Sequence, residues 1–134
     1  MAEPEGTLTA VQYQIMQVLW QHGEDGAAVS EIWQEISTQR TVGRTTVLKQ
    51  IQRLEQRYWL KRKPGASVAR YVAALDQQET AKMLAAEFVD DFFEGSLCDL
   101  VMSALGSQQI QADDVQRLQQ LLDDHAGRRT SRRN

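Results

Sequence analysis

A single cysteine, Cys98, stands in this chain of 134 residues, so neither an intramolecular disulfide nor a multi-cysteine metal cage is open to it. No uninterrupted apolar run approaches the roughly 20 residues needed to cross a bilayer. The acidic opening Met1-Ala2-Glu3-Pro4-Glu5 lacks the apolar stretch of a secretory signal. The cytoplasm is therefore the expected compartment, with no membrane partner. Histidine is scarce too: His22 and His125 fall far apart, each at the end of a helical pattern, where capping of carbonyls is the ordinary role. No Ser–His–Asp set, metal-ligand spacing or phosphate-binding loop occurs, so the pattern predicts no enzyme, no metal and no cofactor. An ordinary apolar content of 42% suits one domain, or two very small ones sharing a core.

Lys and Arg are missing from residues 1–39, which hold six acids. They are concentrated instead between Arg40 and Arg70, where nine bases accompany one acid, Glu55, for a net of +8. The rest of the chain carries 6 bases and 17 acids, a net of −11, and the total comes to −3. A nearly neutral sum thus hides a concentrated cationic patch, the footprint of a surface that grips a polyanion. A sequence pI of 5.4 argues against indiscriminate coating of nucleic acid. A charge run usually marks a solvated face, but that reading leaves the base-free first 39 residues unexplained.

Periodicity supplies the frame. Thr9 with Gln12 reads as a capping box before Val11, Ile15, Val18 and Leu19, which recur at helical spacing up to His22-Gly23. Val29, Ile32, Trp33 and Ile36 mark a second short helix; Val47, Ile51, Leu54 and Tyr58 mark a third from about Arg44. Two β-prone segments, Tyr58 to Lys63 and Val68 to Ala74, flank Pro64-Gly65 and read as a hairpin. Further helices follow: one capped by Asp76 and Glu79 with a stripe through Phe88 and Phe92, one capped by Ser96 and Asp99, and one from roughly Ala112 to His125. The predicted fold class is mainly α: an N-terminal winged helix-turn-helix of three helices plus a two-stranded hairpin, then a three-helix C-terminal dimerisation unit. Residues 1–75 form the winged DNA-binding domain, 76–126 the helical dimerisation domain, and 127–134 a basic disordered tail. Three C-terminal helices of about 50 residues are marginal as a core of their own. Phe88, Phe92, Leu97, Leu100, Val101, Leu118, Leu121 and Leu122 are accordingly assigned to a homodimer interface. Cys98 is expected to lie buried among Leu97, Leu100 and Val101.

With the Val47–Ile51–Leu54 stripe inward, a 100° step turns Thr45, Lys49, Gln52 and Gln56 outward, with Thr46 and Arg53 on one shoulder. The N-terminal half of a recognition helix enters the major groove deepest, which points to Thr45, Lys49 and Gln52 as base readers. Arg40, Arg44, Thr46 and Arg53, with Lys61, Arg62, Lys63 and Arg70 on the hairpin, are expected on phosphates. Alternation along a strand keeps Lys61, Arg62 and Lys63 from all facing one way. Tyr71, Trp20, Trp33 and Trp59 are read as core.

With these residues placed, the chain resembles the penicillinase-repressor family of bacterial winged-helix regulators from Leu8 to about Leu122. The resemblance is carried by Leu8-Thr9, Ile15-Met16, Leu19-Trp20, Val29-Ser30-Glu31-Ile32, Thr45-Thr46-Val47-Leu48-Lys49, Ile51, Arg53-Leu54, Arg70-Tyr71 and Gly95-Ser96 before Leu100-Val101. It implies a homodimer that binds a dyad-symmetric double-stranded operator and represses transcription. In family members that answer a β-lactam signal, a membrane-bound sensor peptidase system leads to cleavage in the C-terminal region. The matching bond here is near Ser103–Ala104, with flanking residues that depart from the family's best-known pattern. Copper-responsive relatives use a C-terminal cysteine cluster, which a lone Cys98 does not provide. Tyr58 also departs, standing where the family usually has the Gly that ends the recognition helix. From a different class, the competing reading is a winged-helix interaction module whose basic face meets an acidic protein partner.

Overall fold

The computed structural model describes residues 3–107 and 110–132. In order, its elements are α1 (Ala10–His22), a 3-10 turn at Gly23–Asp25, β1 (Ala27–Ala28), α2 (Val29–Ser37), α3 (Arg44–Gln56), β2 (Leu60–Arg62), β3 (Arg70–Ala73), α4 (Gln77–Phe93), α5 (Leu97–Gly106) and α6 (Ala112–Arg132). The fold is mainly helical, a winged helix-turn-helix followed by a helical unit. The predicted capping box is present: Thr9 Oγ1 accepts from Gln12 N at 3.2 Å, and Gln12 Oε1 accepts from Thr9 N at 3.0 Å. Two otherwise orphaned donors at the start of α1 are satisfied in this way. Ile15, Met16 and Leu19 of α1, Ile32 and Ile36 of α2, and Val47, Ile51 and Leu54 of α3 close a single core with Trp59, Leu60 and Tyr71. Each such burial contributes about 1.5–3 kcal/mol relative to an exposed side chain.

The wing is a three-stranded antiparallel sheet in the order β1-β3-β2, one strand more than the predicted hairpin. Ala27 and Ala28 pair with Tyr71 and Arg70. Two alanines carry no alternation of apolar and polar residues, so β1 left no trace in the periodicity. In β2, Leu60, Lys61 and Arg62 face Ala73, Val72 and Tyr71. All three indoles are anchored through Nε1: Trp59, fully buried, donates to Glu5 O at 2.9 Å, Trp20 to Leu75 O at 3.0 Å and Trp33 to Val42 O at 2.8 Å. Trp20 and Trp33 are half-buried at the edge of the core rather than inside it. His22 meets a carboxylate in place of the carbonyl expected: its Nε2 lies 2.9 Å from Glu35 Oε1.

Contacts divide the chain into two compact units, Met1–Glu87 and Phe88–Asn134. The first half of α4 belongs to the winged unit, since Met83 and Leu84 pack against its core. In the second unit, the Phe88 ring lies 5.0 Å from that of Phe92 and 5.8 Å from that of Phe93. Ser96 Oγ caps α5 by accepting from Asp99 N at 3.2 Å. One expectation is corrected here. Cys98 is exposed, because it sits in the first turn of α5 off the half-buried line of Leu100, Val101 and Ala104. Helix α6 continues past His125 to Arg132, into the segment read as a disordered tail; residues 133–134 lie outside the described residues. Gly127 inside the helix costs only about 1 kcal/mol.

Helix α3 ends in a Schellman turn. Trp59 N donates to Leu54 O at 3.0 Å and Tyr58 N to Glu55 O at 3.2 Å, with Trp59 and Leu54 both fully buried. This geometry requires a left-handed residue at position 58, and Tyr58 adopts it with φ 66°. A non-glycine residue there costs about 1–2 kcal/mol, against the ~0.5–1 kcal/mol of entropy that glycine forfeits. Tyr58→Gly should therefore raise the unfolding free energy by about 0.5–1 kcal/mol in urea titrations. A decrease would mean that the ring, 45% exposed, packs for more than the turn is strained.

Candidate nucleic-acid interface

Packing of α3 leaves no freedom in which face it shows. Val47, Ile51 and Leu54 are 0% exposed, so Thr45, Lys49 and Gln52 are turned to solvent along with Arg40, Arg44, Thr46 and Arg53. Among the described residues, the side chains of Thr45, Lys49 and Gln52 make no hydrogen bond or ion pair. The entry to the helix is held by Trp33: its indole donates to Val42 O, and its ring lies under the Arg44 guanidinium, 5.5 Å from centroid to Cζ. Stacking of this kind restrains Arg44 while leaving its N–H groups outward.

Register sorts the wing. Leu60 and Arg62 face the core side with Tyr71, and Lys61 faces the opposite side with Val72. Arg62 accordingly spans the Tyr71 ring at 5.8 Å and pairs with Glu55 at 3.5 Å. Lys61 and Lys63 have no acidic partner among the described residues, and Lys63 N extends the ladder by donating to Arg70 O at 2.8 Å.

Arg70 is placed differently from the expectation. Its Nη1 reaches Glu31 Oε1 at 2.8 Å, its Nε donates to Asp25 O at 3.1 Å and its Nη2 to Gly26 O at 3.0 Å. The reason is register: β3 sets Arg70 opposite Ala28, beside the start of α2. The guanidinium is spent on the fold, not offered to a phosphate. Glu31 is held below the ordinary glutamate pKa, first by the Ala28 N–H it accepts and then by Arg70. A carboxyl depressed in the folded state lends stability above its unfolded pKa and loses it as pH falls through the folded value. This clasp is therefore intact at neutral pH and released in acid.

Arg57, counted in the basic patch by sequence, is also committed: its Nη2 donates to Thr7 O at 2.6 Å, and its carbonyl accepts from Glu5 N at 2.9 Å. Nothing in the periodicity marks this clamp, because its partner is backbone 50 residues away. Six of the nine bases then remain without an acidic or carbonyl partner among the described residues: Arg40, Arg44, Lys49, Arg53, Lys61 and Lys63. Arg44, Lys49 and Arg53 stand on α3, Arg40 in the turn before it, and Lys61 and Lys63 on the wing, all exposed. No cluster of His, Cys, Asp or Glu able to hold a metal occurs among the described residues.

The penicillinase repressor family model matches residues 8–124. The chain belongs to that family. A penicillinase repressor of Bacillus licheniformis is 22% identical over 122 residues, covering 91% of this chain and 94% of that protein. Penicillinase repressors are DNA-binding regulators of transcription and not enzymes. Tyr58 keeps the left-handed turn for which the resemblance implies glycine, so this member retains the geometry and accepts the strain.

Replacing Lys61 and Lys63 together with Ala should weaken binding to every duplex alike. It should also flatten the slope of log affinity against log salt by about one unit for each phosphate no longer neutralised. Arg70→Ala should instead lower the melting temperature and leave that slope unchanged. Fluorescence-anisotropy titrations at several salt concentrations separate the two; a flattened slope for Arg70→Ala would return it to the phosphate set.

Proposed function

We propose that the protein is a sequence-specific transcriptional repressor acting in the cytoplasm as a homodimer on a dyad-symmetric operator, with one α3 per half-site. The observation that carries this reading is the open face of α3, with Thr45, Lys49 and Gln52 unpaired inside a ring of unpartnered cations. Their donors and acceptors match base edges in the major groove. Arg40, Arg44, Thr46, Arg53, Lys61 and Lys63 neutralise phosphates, and release of condensed counterions supplies sequence-independent affinity. Occupancy of the operator blocks transcription without any bond being made or broken.

The second unit supports the dimer. Among its described residues with defined exposure none is buried, and Phe92, Leu97, Leu121 and Leu122 are 71%, 57%, 62% and 53% exposed. Apolar surface on that scale marks an interaction face, and a second copy covers Phe88, Leu100, Val101 and Leu118 along with these. A regulatory peptidase acting near Ser103–Ala104 would meet that bond inside α5, with Ser103 exposed and Ala104 half-buried. Local unwinding must come before cleavage there.

Selection of bound genomic fragments at ~150 mM salt, where non-specific contacts weaken, tests the reading directly. Enrichment of one dyad motif, with half-sites a helical turn or a multiple of it apart, is the expected result; no enriched motif favours an acidic protein partner for the same face. Phe92→Asp and Leu121→Asp should each yield monomers in sedimentation, with reduced operator affinity because the second half-site is no longer linked. Dimers persisting in both variants would remove these residues from the interface.

A further inference from the structure

Gln12 is almost closed to solvent, 4% exposed, and both ends of its amide are used. Oε1 accepts from the Thr9 N–H at 3.0 Å, and Nε2 donates to Gln50 Oε1 at 2.9 Å. A backbone N–H can only donate, so the Thr9 bond determines which end of the Gln12 amide is oxygen. The nitrogen must then face Gln50, and Gln50 must answer with its oxygen. By elimination, the Gln50 NH2 group points away from the core. It has no partner among the described residues and is not among the sealed polar atoms. The capping box of α1 thereby dictates the polarity of a side chain on α3, 38 residues away.

Gln50 stands four residues after Thr46 and three before Arg53, the spacings at which helix side chains are neighbours. Those two residues form the shoulder assigned above to phosphates. Donors alone, presented beside them, suit a phosphate oxygen, which only accepts. We propose that Gln50 is a further phosphate contact of the recognition helix, and that Gln12 is the positioning residue that keeps its NH2 group outward. The proposal rests on the operator reading and extends it.

Gln12→Glu is the informative variant. A carboxylate still accepts from Thr9 N–H, so the capping box survives, but it cannot donate to Gln50. The Gln50 amide must turn its N–H groups inward and its carbonyl toward the DNA. The expected result is about tenfold weaker binding, the size of one charge-assisted hydrogen bond, on operator and random duplex alike. Gln50→Leu should lose a similar factor, and in that background Gln12→Glu should cost nothing more. An equal loss from Gln12→Glu in both backgrounds would reduce the effect to added negative charge and overturn the relay. A loss confined to the operator would overturn the phosphate assignment and make Gln50 a base reader. Full affinity in Gln50→Leu would overturn the contact; this variant takes the acceptor from Gln12 Nε2 but leaves both hydrogen bonds of the capping box in place, so it keeps the test open should Gln12→Glu lower the melting temperature.

Side-chain amide exchange measured by NMR on the free protein provides a readout independent of DNA. Slow exchange at the Gln12 NH2 and fast exchange at the Gln50 NH2 are expected; the reverse pattern overturns the proposed polarity. If that pattern holds but the unaltered chain shows no salt-dependent duplex binding, the operator reading fails, and the phosphate contact fails with it.

Discussion

The closeness of Gly26 to the central strand of the wing is the constraint on which the arrangement of wing and helix-turn-helix depends. A Cβ at this position would sit 2.7 Å from Tyr71 O, and the residue has φ 71°, so only glycine fits without moving the sheet. That approach lets β1 pair with β3 immediately before α2 begins. Arg70 then locks the corner by binding Asp25 O, Gly26 O and Glu31 at once. The wing is thus fastened to the start of the helix-turn-helix as well as to the end of α3. The wing and α3, the two surfaces proposed to meet one duplex, are held in a fixed relation by backbone contact and a buried ring, Tyr71.

The same economy governs charge. A basic stretch of nine residues is not nine ligands for a polyanion. Arg57 clamps the N-terminal arm, Arg62 bridges Glu55 and Tyr71, and Arg70 holds the wing corner. All three internal tasks fall to arginine, whose planar fork satisfies several acceptors together, while all three lysines of the stretch stay free. On the proposed reading, Lys61 and Lys63 supply mobile point charges suited to a phosphate backbone whose exact position varies with DNA sequence.

Much of this architecture was legible in the sequence, for definite reasons. Amphipathic stripes place Val47, Ile51 and Leu54 inward on α3, and that alone turns Thr45, Lys49 and Gln52 outward. The caps at Thr9, Asp76 and Ser96 are local signals and appear as read. What escaped depends on contacts distant in sequence. β1 is two alanines whose strand character exists only because β3 lies alongside. Arg70 looked like a wing cation because register, not composition, places it beside Glu31. Cys98 looked buried because its neighbours are apolar, yet a residue one step along a helix lies 100° around it. Tyr58 shows the opposite case: its side chain departs from the family's glycine, but packing of Trp59 against Leu54 over-determines the turn, and the strain is tolerated.

The winged unit has a closed core, whereas none of the described residues of the second unit with defined exposure is buried, so the stabilities of the two need not be coupled. The residues proposed to touch DNA are held by Ile15, Ile32, Ile51, Trp59 and their neighbours, all inside the first unit. On the proposed reading, the second unit acquires its core only from another copy, so its order depends on protein concentration while that of the first does not. Operator affinity then has two separable factors. One is the fit of a single α3 and wing to a half-site; the other is the effective concentration with which the dimer presents its second α3. Any event that opens the second unit removes the latter factor and leaves the former intact. A regulator built in this way can release its operator completely at working concentrations without altering any residue that reads it.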